Sequence, residues 1–524
     1  MTNSPFLSEP PVVTLEGVIE QPYNLAVATA RTCYSSRGIV SLDDVTKDEK
    51  ALVLRDKIAQ STLHAGHLTT RQHATFVFAL DKISRQFIWS FLHSHPYYNS
   101  EQVSQRYVKV ARGHYTIPGL SEKQAERYVT VVDGLMEKYN QMIEILLPEI
   151  RRRFYKIFPQ REKVAGKYEN ALKKRGYEVA RYLLPVAIHA YMYHSVSALT
   201  LIRYWRLCQL FDTPEEQRYV VERMVEEVKK IDPDFEKDLK DPLPLEETPE
   251  FKILEQFQTT DRLNSSQNFI DEFDRSLEGH VSKLVDYKKN AEESLAQSVR
   301  QLFGLTREKL SDDEAITLAM DPARNSYLGD TLNINSLSKL SRAMVHPHYT
   351  FQKKISHTAD SQDQRHRMTP ASRPILKTHY TGRPDYLLPM LVKEFDPARE
   401  LFEKTMSGLF SEINRLLDDG VEPEKALYLL PNAFPIRFTE SGDLLNLHHK
   451  WRTRACYDSQ EEIFFATIDE ISQVKEIHPR IAGHILAPCY LRKRAGETPY
   501  CPEGDRYCGV PVWKQTIEQY QRVL

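Results

Sequence analysis

The chain has 524 residues, of which 41% are hydrophobic, 27% charged and 10% aromatic, and its formal net charge is −2. That length exceeds what one hydrophobic core organises, so two domains or more are expected, and the composition excludes disorder over most of the chain. The near-neutral balance excludes a protein that coats a nucleic acid polymer by bulk electrostatics, yet permits binding of one small anion, which needs only two or three placed arginines.

The opening MTNSPFLSEPPVV has neither a basic nor an apolar leader region. The longest apolar stretch, YLLPVAIHAYMY at 182–193, is too short to span a bilayer. Six cysteines do not make a disulfide framework at this length. A soluble, cytoplasmic protein with no membrane partner is expected.

In chain order, an Ala-rich segment, AVATARTCYSS, surrounds Cys33, and HATFVFAL (73–80) has the β-branched and aromatic character of a strand. The turn-like stretch HSHPYYNSEQVSQRY follows at 93–107. Residues 123–154 place apolar side chains at helical spacing between charged faces, RYLLP stands at 181–185, and a second amphipathic helix is predicted over 215–231. The Pro- and acid-rich DPDFEKDLKDPLPLEETPEF (232–251) reads as a linker. Beyond it the order repeats: an Ala-containing SLAQSVRQLF, a strand in HPHYTFQKKIS (346–356), the Arg/His turn QDQRHRMTPASRP (362–374), a long helix over 397–419, and LYLLPNA. Internal duplication is the economical explanation.

Three constellations carry chemistry. In QRHR (364–367) two arginines flank a histidine, and such clustering is costly unless an anion or a planar electron-rich ring lies between them. In SQRY, Ser104 and Arg106 face one way on an extended backbone and can share one phosphate. In NLHHKWRTRACYDSQEEI (446–463), Arg454, Asp458 and Glu461 or Glu462 recur at helical spacing, which suits an ion-paired surface face or an inward anion ligand at Arg454. In the tail, Cys489, Cys501 and Cys508 lie close together with His484 nearby, a weak pattern for structural zinc.

These motifs resemble those of the flavin-dependent thymidylate synthases. The family signature is an Arg-His-Arg turn, a spacer and a Glu-x-Ser-x-Arg-Tyr loop. The chain also carries GHLTTRQHATFVF (66–78), similar to the family's Gly-His-x-Thr segment, RYLLP, similar to its Arg-x-x-Leu-Pro, and TRACYDSQEEI (453–463), similar to its late arginine segment. The match is split. The first half keeps Ser104, Arg106, Tyr107 and Arg181, but has His93, Ser94 and His95 at the turn, Gln102 for the loop Glu, and Cys208 near the late arginine. The second half keeps Gln362, Arg365, His366, Arg367 and Arg454, but has TPASRP for the loop and Leu427 for the early arginine.

The resemblance implies an α+β chain of two helix-rich repeats, each with a small antiparallel sheet. The expected divisions are a first repeat over 1–235, a linker over 236–280, a second repeat over 281–480 and a Cys-containing tail over 481–524. It implies reductive methylation of dUMP to dTMP at a composite site, with FAD as cofactor and NADPH and methylenetetrahydrofolate as co-substrates. Arg454, Ser104 and Arg106 form the implied catalytic set. Gln102, Ser104, Arg106, Arg181, Gln362 and Arg454 would bind the nucleotide, and His67, Thr69, Arg365, His366 and Arg367 the flavin and folate. No cysteine need be catalytic, so Cys33, Cys208 and Cys456 carry no role. A homodimer would mimic the family's tetramer. Two alternatives stay open: a catalytically degenerate flavin- or nucleotide-binding relative, and a flavin-dependent methylase of another pyrimidine nucleotide.

Overall fold

The computed structural model describes residues 4–93, 96–210, 212–257, 262–520, 522 and 524; Ser94 and His95 of the first turn lie outside them. Two four-stranded antiparallel sheets organise the chain. The first has the order β1–β2–β4–β3, from β1 (Val12–Val18), β2 (Thr75–Ser84), β3 (Tyr98–Gln102) and β4 (His189–Ser197). The second repeats that order as β5–β6–β8–β7, from β5 (Ser282–Tyr287), β6 (His348–Ser356), β7 (Ala371–Ser372) and β8 (Pro435–Asp443). With long helices around both sheets, the architecture is α+β and duplicated, as the motif order implies.

The expected helices form with small shifts at their ends. The longest runs over Glu122–Ile157, opened by a Ser121–Gln124 capping box that satisfies its first free amides. Its counterpart spans Asp396–Asp418. Both bury one apolar stripe, Leu135, Met142 and Leu146 from one and Phe402, Leu409 and Ile413 from the other, in a single core shared by the two halves.

A local two-fold relation joins the halves at their Leu-Leu-Pro segments. Val186 N–H donates to Leu430 O (2.8 Å) and Ala187 N–H to Tyr428 O (2.9 Å), while Asn432 N–H donates to Leu184 O (2.8 Å) and Ala433 N–H to Tyr182 O (3.1 Å). Side chains cross in the same way. Glu216 accepts from Ser84 Oγ (2.7 Å) of its own half and from Tyr428 Oη (2.6 Å) of the other. Glu462 accepts from Ser356 Oγ (2.8 Å) and from Tyr182 Oη (2.7 Å). Each buried carboxylate thereby ties a strand end to the opposite repeat.

One sequence expectation fails here. Residues 446–463 do not form one helix face: a helix over Leu444–Arg454 ends, and Gln460 caps a new one over Glu461–Ile477 by accepting from Ile463 N–H (3.3 Å). Arg454 and Glu462 therefore point into different environments, and the surface ion-pair reading falls. Among the described residues, no helix is long and apolar enough to cross a membrane.

Candidate functional site

The Arg-His-Arg turn of the second half rests on β3 of the first. Arg365 pairs with Glu101 (3.3 Å), and Arg367 donates to Pro96 O (3.2 Å) and Asn99 Oδ1 (3.0 Å) while lying 5.1 Å over the Tyr98 ring. Beyond β3, Arg106 donates through Nη2 to the Asp458 carbonyl (2.5 Å) and through Nε to Glu178 (3.0 Å). Ser104 Oγ accepts from Arg106 N–H (3.2 Å), which fixes the Ser-x-Arg turn. The structure thus brings together Ser104, Arg106 and Arg181 from one repeat with Arg365, Arg367 and Arg454 from the other.

Arg181 is 4% exposed, and its Nε and Nη2 find no partner among the described residues. The same holds for Arg85 Nε and Gln362 Nε2. Arg85, at the start of the helix after β2, donates to Gln102 Oε1 (3.0 Å) and Val103 O (2.7 Å). Burial, with Arg181 and Arg365 close by, pulls its guanidinium down to about 9. Burial alone would raise Glu178, but Arg106, Arg175 and Arg181 outweigh it and hold the carboxyl down at about 2. Buried cations with spare N–H donors mark a place built for an anion, because the cost of leaving them unpaired is otherwise unrecovered.

Arg454 sits on the second-half side of this cleft. It donates through Nε to His366 Nε2 (2.9 Å) and through Nη2 to Gln362 O (3.2 Å). His366 Nε2 must then carry a lone pair, so the proton of the neutral ring is on Nδ1. Burial and the adjacent Arg454 push the imidazole well below its ordinary range, consistent with that assignment. Burial likewise lowers Arg454 to about 10. The cleft opens on either side of Arg106 into cavities of about 300 and 440 Å³; the larger is walled by Tyr107, Phe158 and Tyr168 with Arg161, Lys174 and Arg175.

The remaining sequence candidates lie elsewhere or do something else. His67 and Thr69 are exposed, and His67 lines a separate groove with Arg31 and Tyr34, away from the cleft. Cys489, Cys501 and Cys508 do gather, with Cys456, around the smaller cavity, but His484 is not among its walls. Among the described residues no group of three or more His, Cys, Asp or Glu side chains could hold a metal ion. The weak zinc pattern therefore finds no fourth ligand at His484, and Arg452, Arg454, Arg492 and Arg506 share the walls with the thiols. Sequence reasoning missed Arg85, Glu178 and Arg522. Only Glu178 carried a signal, one helical turn before Arg181; Arg522 arrives from the tail, donating to Ser459 O (2.6 Å) with Nη2 unpartnered.

A family model described as thymidylate synthase complementing protein matches residues 14–234 and again 283–480. The chain belongs to that family. It does so twice over, as a fused duplication requires. Similar curated proteins include flavin-dependent thymidylate synthases: one from Clostridium tetani is 24% identical over 214 residues, covering 41% of this chain and 80% of the relative. Another from Geobacter sulfurreducens is 28% identical over 207 residues, covering 39% and 80%. A third, from Sulfurisphaera tokodaii, is 25% identical over 220 residues, covering 40% and 79%. Among solved structures, a UMP/dUMP methylase PolB from Streptomyces cacaoi bound with 5-Br dUMP is similar at 16% identity and a TM-score of 0.32, over 44% of this chain and 94% of that one.

Proposed function

We propose that the chain is a flavin-dependent thymidylate synthase whose active site is completed by residues of both repeats. The observation that carries this reading is the cleft itself: motif residues kept by each repeat meet there, around buried guanidinium donors with no partner among the described residues. Arg106 and Arg181, with Ser104, would hold the dUMP phosphate, since guanidinium and hydroxyl donors converge on one anion. Gln362 and Arg454 would face the base, where a fixed cation stabilises charge developing on the pyrimidine as the new bond forms. His366, kept neutral, holds the Arg454 guanidinium in place through its Nε2 lone pair. Arg365 and Arg367 lie on the rim and would pack against flavin and folate, guanidinium planes being suited to stacking on such rings. The bound flavin supplies hydride chemistry; methylenetetrahydrofolate would supply the carbon and NADPH the reducing equivalents. His67 and Thr69 are remote from this cleft, so a flavin role for them belongs in a homodimer, where a second copy would present them.

The test is anaerobic incubation of the purified chain with FAD, NADPH, methylenetetrahydrofolate and dUMP, with mass spectrometry for dTMP. Product above the protein-free control is expected, and its loss in Arg106→Ala and in Arg365→Ala would tie it to both repeats. A bound flavin whose spectrum shifts with dUMP, without turnover, would favour a degenerate binding protein; Gln102, engaged by Arg85 where the family has Glu, would then be the first suspect.

A further inference from the structure

The two-fold relation generates a second cleft. If Tyr182 and Glu216 correspond to Tyr428 and Glu462, as their crossed hydrogen bonds require, then Arg181 corresponds to Leu427, Glu178 to Glu424, Arg454 to Cys208 and Asp458 to Asp212. Likewise Ser84 corresponds to Ser356, which places Ser90 opposite Gln362 and His93 opposite Arg365. A cavity of about 310 Å³ occupies that second position, with Asp212, Glu424 and Leu427 in its wall.

We infer that this second cleft is closed to anionic nucleotides, with the inter-repeat segment as its roof, so that each chain binds one nucleotide; the inference rests on the function proposed above. Arg181, Arg454 and Arg365 are replaced by Leu427, Cys208 and His93, residues without positive charge, and the strand registers put the shorter Lys377 where Arg106 stands, while both acidic positions remain. Glu424 accepts from Glu215 N–H (3.0 Å) and Asp212 from Leu376 N–H (2.7 Å), where Glu178 has two arginines. Among the described residues Lys377 is the one cation in the wall, against Asp212, Glu250, Glu422 and Glu424. A phosphate entering would meet carboxyls rather than guanidinium donors, and a dianion that loses its hydration without gaining cationic partners pays a large desolvation cost. Burial raises Asp212 to about 7 and Glu424 to about 8, which fits a pocket that has lost those arginines. The roof is the segment that composition marks as a linker: a helix over Pro249–Phe257 turns Phe251 and Leu254, one turn apart, onto the cavity, with Leu245 and Thr248 before it. Its path is pinned upstream, where Leu243 N–H donates to Arg206 O (2.8 Å).

Equilibrium dialysis of the full chain against dUMP tests the count. One dUMP per chain is expected, falling to none in Arg181→Leu, which gives the first cleft the residue of the second. Two per chain, or one remaining in Arg181→Leu, would overturn the inference. The roof is read separately by hydrogen exchange: amides in the second half of the 249–257 helix should exchange slower than an unstructured peptide and stay unchanged at saturating dUMP. Unstructured-chain rates there would overturn the closure. Absence of any dUMP binding would sink the proposed function, and the exchange measurement alone would then decide the inference.

Discussion

Arg181 and Leu427 open the same Leu-Leu-Pro turn in the two repeats, and the contrast shows what one guanidinium costs and does. Leu427 is 5% exposed among apolar neighbours. Arg181 is equally buried with two nitrogens unpartnered among the described residues, a state that burial opposes and a bound anion would relieve. Arg181→Met should therefore move two readouts in opposite directions. The midpoint of thermal unfolding without ligand should hold or rise by about a degree, which relief of about 1 kcal/mol gives in a cooperative unit of this length. Affinity for dUMP should fall by on the order of 100-fold, the loss of about 3 kcal/mol in charge-assisted bonds. A drop in both would make Arg181 a structural residue. Glu178 supplies a pH test. Its carboxyl lies at about 2 in the folded chain against an ordinary 4.5, so the stability it contributes is complete above 4.5 and disappears as pH falls from there towards 2. Glu178→Gln should flatten the thermal midpoint across that window, and an unchanged acid limb would refute the pairing. Ser104, Arg106, Arg181, Gln362 and Arg454 were legible in the sequence because each sits in a motif at fixed local spacing. Arg85 and Arg522 were not, because no motif marks them and their nearness to Arg365 and Glu178 arises only when distant segments fold together.

At the scale of elements, the two sheets differ beneath the Arg-His-Arg turn. Lys353 of β6, Glu440 of β8, Asp363 at the end of the helix after β6, Lys450 one turn before Arg454, and Glu470 form a network in which no member is more than 3% exposed. Lys450 bonds Asp363 at 2.7 Å and Glu440 at 2.6 Å, and Lys353 reaches Glu470 at 2.7 Å. The first repeat fills its corresponding layer with Phe91, His194 and Tyr204 packed ring on ring, with centroids 4.4 to 5.9 Å apart. The ionic version joins the helix carrying Gln362 to the helix carrying Arg454, the two elements that together form the second-half side of the cleft. Lys450→Met should destabilise by about 3–5 kcal/mol, because it leaves buried carboxylates short of a cation. Denaturant unfolding measures it, and a loss under about 1 kcal/mol would show the network to be redundant. The strands and long helices were legible from periodicity. The break between Arg454 and Glu461 was not, since the charged residues kept helical spacing across it and only the Gln460 cap, a tertiary choice, ends the pattern.

For the whole molecule, duplication was visible as repeated order, but not that the halves would share one core. The helices over Glu122–Ile157 and Asp396–Asp418 pack in the same cluster, which also takes Trp89 from the first half and Ile355 and Ala359 from the second. Trp89 Nε1 donates to Asp360 Oδ2 (2.7 Å), a carboxylate also clamped by Arg373 at 2.7 and 2.8 Å, so a buried ion pair of one repeat is completed by an indole of the other. Neither half can open along this boundary without exposing the apolar stripe of its longest helix and breaking the backbone exchange at Leu184 and Leu430. Linked repeats with a small polar interface unfold in separate steps, whereas repeats sharing a core lose it together. Calorimetry of the full chain should accordingly show one main endotherm spanning both repeats, and Asp360→Ala, which strands Arg373 and the Trp89 N–H, should lower that endotherm as a unit. Two endotherms, with only the later half responding to Asp360→Ala, would show that the halves are stable apart. In that event the cleft between them would have to be held by the nucleotide itself, and dUMP would merge the two transitions into one.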